Sequence, residues 1–102
     1  MPGVVGVVTG AEFAESKLGN LICGWMVLSK DGSPMKMAPH PALAVGKACH
    51  VGDPVAVVVA ETKQAAKDAA ELIEIDYQEL PAVASLRDAI APGASLVHDD
   101  AP

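Results

Sequence analysis

The sequence predicts an α+β domain, and three observations carry that expectation. A valine-rich stretch near the start runs directly into a capped helix. A second apolar stretch, Val55–Val59, is followed by an alanine-rich segment of helical period. After it, Ile73, Ile75 and Tyr77 alternate with Glu74, Asp76 and Gln78, the pattern of a half-buried strand. A mixed sheet with two or three short helices packed on it is the expected architecture.

The first strand-to-helix unit is "GVVGVVTGAEFAES". Val4, Val5, Val7 and Val8 favour extended backbone. Thr9 is placed as an N-cap, and Glu12 three residues later completes a capping box. From Gly19 to Pro41 the pattern loosens. "NLICGWMVLS" is read as a strand interrupted by Gly24. Asp31-Gly32 marks a tight turn, and Pro34, Pro39 and Pro41 exclude a regular helix. "LAVGKACHVGD" is read as an extended segment ending in a Gly52-Asp53 turn.

Pro54 opens the second apolar strand. Its near-continuous apolar run fits a strand covered on both faces. Thr62 caps the next helix. Ala65, Ala66, Ala69, Ala70, Leu72 and Ile73 recur at spacings of three and four and define its apolar face, with Lys63, Lys67, Asp68 and Glu71 opposite. "ELPAV" leaves the predicted third strand at Pro81. "SLRDAIAPG" holds a last short helix with Ser85 as cap, Asp88 as its partner and Pro92-Gly93 as the stop.

Composition narrows the function. The chain has 102 residues, room for one domain, so residues 1–102 are read as a single unit. It is 51% hydrophobic but only 3% aromatic. Alanine and valine give little apolar area per residue, so part of the surface is expected to be covered by other protein. The net charge of −6 and the scattered Lys and Arg residues leave no basic stripe for phosphates. No apolar run approaches the ~20 residues of a membrane span. Cys23 and Cys49 lie far apart with no CxxC. Together with the absence of a signal-like start, they suggest reduced thiols in a cytoplasmic protein.

No chemical site is predicted. The junction "AETKQ" after Val59 has no glycine and puts Glu61 where a pyrophosphate would lie, which excludes a dinucleotide turn. Adjacent strand residues such as Cys49-His50 point to opposite faces and suit neither zinc nor a thiol–histidine pair. His98-Asp99-Asp100 lies in the tail, and His40 sits between two prolines. Ser16, Ser29, Ser33, Ser85 and Ser95 lack a nucleophile-elbow context. Glu74, Asp76 and Glu79 are read as a solvated face, and Met35 and Met37 as interface residues. No catalytic, cofactor-binding or metal-ligating residue is therefore expected in this sequence.

Across "PGVVGVVTGAEF", "PALAVGK", Gly52, "PVA", "VVAET", "DAAELIEIDY", "LPAV" and "APGASLVHDDAP" the chain resembles a known domain. It is the N-terminal α/β hammerhead domain of the molybdopterin-binding large subunit of molybdenum hydroxylases. That family spans xanthine dehydrogenase, aldehyde oxidase and carbon monoxide dehydrogenase. The middle stretch "LICGWMVLSKDGSPMKMAPHPALA" is most similar to the carbon monoxide dehydrogenase-like branch. Departures are Cys49-His50, where an aromatic or basic residue is common, and Asp53, where Glu is frequent.

The resemblance implies an oxidoreductase whose parent enzyme uses molybdenum-molybdopterin, with iron–sulfur clusters and FAD on partner subunits. It carries no catalytic position into these residues, so the isolated stretch is expected to be inactive. The resemblance also implies a preceding strand and several hundred following residues. Without that strand, an open sheet edge and self-association are expected. The leading reading is a structural domain packing against the molybdopterin-binding domains and the iron–sulfur and flavin subunits. The alternative is a free-standing α+β regulatory module that binds a small molecule.

Overall fold

The computed structural model describes residues 1–99. The chain divides into two units, Met1–Ile22 with His40–Ile75, and Cys23–Pro39 with the residues from Asp76 onward.

The first unit holds a two-stranded antiparallel sheet and two helices. Strand β1 spans Val4–Thr9 and helix α1 spans Gly10–Glu15. Strand β2 spans Ala56–Ala60 and helix α2 spans Lys63–Glu71. Valine β-branching favours the extended backbone of both strands. They pair with Val7 opposite Val58 and Val8 opposite Val57, and the register shifts between Val4 and Gly6. Gly3 extends the pairing, its carbonyl accepting from the Glu61 N–H at 2.8 Å.

Both helices begin where the local chemistry places them. The Glu12 carboxylate accepts from the Thr9 backbone N–H at 2.8 Å and from its hydroxyl at 2.9 Å, forming the capping box. The Thr62 hydroxyl accepts from the Ala65 N–H at 3.1 Å. Helix α1 ends at Ser16, and Lys17 follows with φ 57°, a left-handed conformation usually given to glycine. Helix α2 packs on both strands. Its covered side is narrower than the sequence predicts. Ala69 is buried and Ala65 and Ala66 are half-buried, but Ala70 and Leu72 are exposed.

The second unit has a small hairpin and one helical turn. Leu28 bridges Pro34, and the Met35 N–H donates to the Val27 carbonyl at 3.1 Å. The predicted Asp31-Gly32 turn closes it. Gly32 takes φ 81°, its N–H donates to the Ser29 carbonyl, and the Asp31 carboxylate accepts from the Ser33 N–H at 3.0 Å. Helix α3 spans Leu86–Ala89, with the Ser85 hydroxyl accepting from the Asp88 N–H at 3.4 Å.

The predicted mixed sheet is corrected. Among the described residues the sheet is two-stranded and antiparallel. Residues 20–29 contribute a single bridge, and Ile73–Tyr77 belongs to no strand. Alternating side chains prepare a strand at Ile73–Tyr77, but a ladder partner must accept its backbone hydrogen bonds, and the described residues place none beside it; the earlier segment pairs only through the short Leu28–Pro34 hairpin.

Candidate functional site

Several residues singled out from the sequence as chemical candidates close local turns and helix ends. At the 49–53 turn, the Asp53 carboxylate accepts from the Cys49 N–H at 2.9 Å and lies 3.8 Å from His50 Nδ1. The Asp53 N–H donates back to the His50 carbonyl, and Gly52 takes φ 91°. This is a self-closed turn that delivers the chain into β2. The Ser16 hydroxyl donates to the Phe13 carbonyl, Ser33 to Asp31, and Ser85 caps α3. Glu74, Asp76, Glu79 and His40 are exposed.

Cys23 and Cys49 are not joined in a disulfide. Of the tail cluster, His98 and Asp99 are described, while Asp100 lies outside the described residues. Among the described residues no group of three or more His, Cys, Asp or Glu side chains could hold a metal ion. None of their helices is long and apolar enough to cross a membrane.

Glu12 and Asp31 have lowered pKa values, and both owe them to local hydrogen bonds. The Thr9 backbone N–H, and then its hydroxyl, hold Glu12 below the ordinary glutamate range. The Ser33 hydroxyl, and then its N–H, do the same for Asp31. Each stabilises a cap or a turn.

What the structure does present is apolar surface. Only Leu43, at 4% exposure, and Ala69, at 9%, form a buried hydrophobic core among the described residues. Leu43 is a residue that reading the sequence misses. It lies in "PALAVG", where an apolar residue between a proline and a glycine is the available signal. The neighbouring Ala44 N–H donates to the Pro54 carbonyl at 2.7 Å. That bond ties this segment to the entry of β2.

The sheet carries this apolar surface on both sides. Residues directly opposite one another in an antiparallel pair share a face. Val7 therefore shares one face with Val58, and Val8 shares the other with Val57. On the first face Val7 is 45% exposed; on the second, Val57 and Val59 are 46% and 47% exposed. Neither face is sealed by this chain. In the second unit, the run ahead of the hairpin is also bare, with Trp25 at 79% exposure.

The model of the aldehyde oxidase and xanthine dehydrogenase a/b hammerhead domain matches residues 1–81. Over 105 residues the chain is 36% identical to the Escherichia coli O157:H7 protein named "Probable hypoxanthine oxidase XdhD", covering 98% of this chain and 10% of that protein. It is 45% identical over 95 residues to the 6-hydroxypseudooxynicotine dehydrogenase complex subunit gamma of Paenarthrobacter nicotinovorans, covering 93% of this chain and 12% of that one. It is 32% identical over 100 residues to the carbon monoxide dehydrogenase large chain of Afipia carboxidovorans, covering 98% and 11%. The chain thus spans about a tenth of the length of the curated relatives it matches. No solved structure matches it.

Proposed function

This chain belongs to the aldehyde oxidase and xanthine dehydrogenase a/b hammerhead family, and we propose that it acts as a scaffold domain of a larger molybdenum hydroxylase subunit. Residues 1–102 form one hammerhead domain in that subunit. The domain packs against the parts that hold molybdenum-molybdopterin, in a cytoplasmic oxidoreductase whose partner subunits carry iron–sulfur clusters and FAD.

The single observation that carries this reading is the bare sheet. Val7, Val57 and Val59 stay about half exposed in a chain whose residues 1–81 match the family model. Completing the burial of one such valine contributes on the order of 1 kcal/mol.

A metal centre needs converging donors, and among the described residues no group of three or more His, Cys, Asp or Glu could ligate a metal ion directly. No step of the reaction is therefore assigned to them. The relatives' names point the same way. They cite hypoxanthine, 6-hydroxypseudooxynicotine and carbon monoxide for proteins that share this region. Three substrates over one domain support a role in shape rather than in substrate choice.

The test is co-expression of residues 1–102 with a separately encoded remainder of the subunit. The two pieces should co-purify, with all the molybdopterin on the remainder. Failure to associate, or stoichiometric pterin on residues 1–102 alone, would overturn the proposal.

A further inference from the structure

We draw no further inference here: the strongest candidate, the half-exposed apolar surface of the β1–β2 ribbon at Val7, Val57 and Val59, carries nothing, because nothing in the structure shows what covers it.

Discussion

The carbonyl of Ala44 fills the space that a side chain on Gly10 would need. A Cβ built there would lie 2.7 Å from the Ala44 carbonyl carbon and 3.2 Å from the Leu43 oxygen. Gly10 opens α1, and Leu43 is the most buried apolar residue of the described chain. The absence of a side chain at position 10 is what lets the helix start sit against the loop that carries the core.

Gly10→Ala is expected to destabilise the fold by about 1–3 kcal/mol, because backbone must move to admit the methyl group. Gly6, where a methyl group would meet nothing within 4 Å, is the contrast. Gly6→Ala should be neutral or stabilising. Urea midpoints measure both. Equal shifts for the two variants would show that the close approach at Gly10 is wrong.

Ala69→Leu should cost about 1–3 kcal/mol by overpacking α2 against the sheet, since Ala69 is 9% exposed. The exposed neighbour gives the control. Ala70→Leu should change stability by under about 0.5 kcal/mol. Reversed sensitivities would mean that α2 presents a different side to the strands.

Lys17 holds φ 57° at the end of α1. A side chain in that region costs roughly 1 kcal/mol relative to glycine. Lys17→Gly should therefore raise the thermal midpoint, offset in part by the greater entropy of the unfolded chain. A lowered midpoint would indicate that Lys17 makes a contact worth more than its strain.

The Glu12 capping box adds a pH dependence of known sign. Its carboxyl is held below the ordinary range by the Thr9 N–H and hydroxyl. A lowered folded value means the stabilisation is present above the unfolded pKa and is lost as pH falls through the folded one. Side-chain carboxyl titration by NMR should place Glu12 below unperturbed glutamate, and Thr9→Val should move it back part of the way. A midpoint in the ordinary range in the parent chain would contradict the box.

Trp25 is the sole tryptophan, and it is 79% exposed. Its emission in the isolated chain should be that of a solvated indole, readily quenched by acrylamide. When residues 1–102 carrying 5-fluorotryptophan are joined to an unlabelled remainder of the subunit, the Trp25 fluorine resonance should shift and lose its solvent sensitivity. An unchanged resonance would leave this apolar stretch without a covering partner.

The sequence by itself determined the parts of this protein that depend on neighbours a few residues away. β1, β2 and all three helices lie where valine runs, Thr9, Thr62 and Ser85 put them, and the turns at Asp31-Gly32 and Gly52-Asp53 close as their residues demand. The match to the hammerhead family was legible too, because it resides in the order of those segments. The tertiary structure alone decided three things. Leu43, in a loop, became the centre of the core. Ile73–Tyr77, despite its alternation, found no ladder. The two valine strands paired in a register that leaves apolar side chains bare on both faces. The physical reason is range. Caps, turns and periodicity are settled by local bonding, whereas burial and strand pairing depend on which distant surface arrives to complete them.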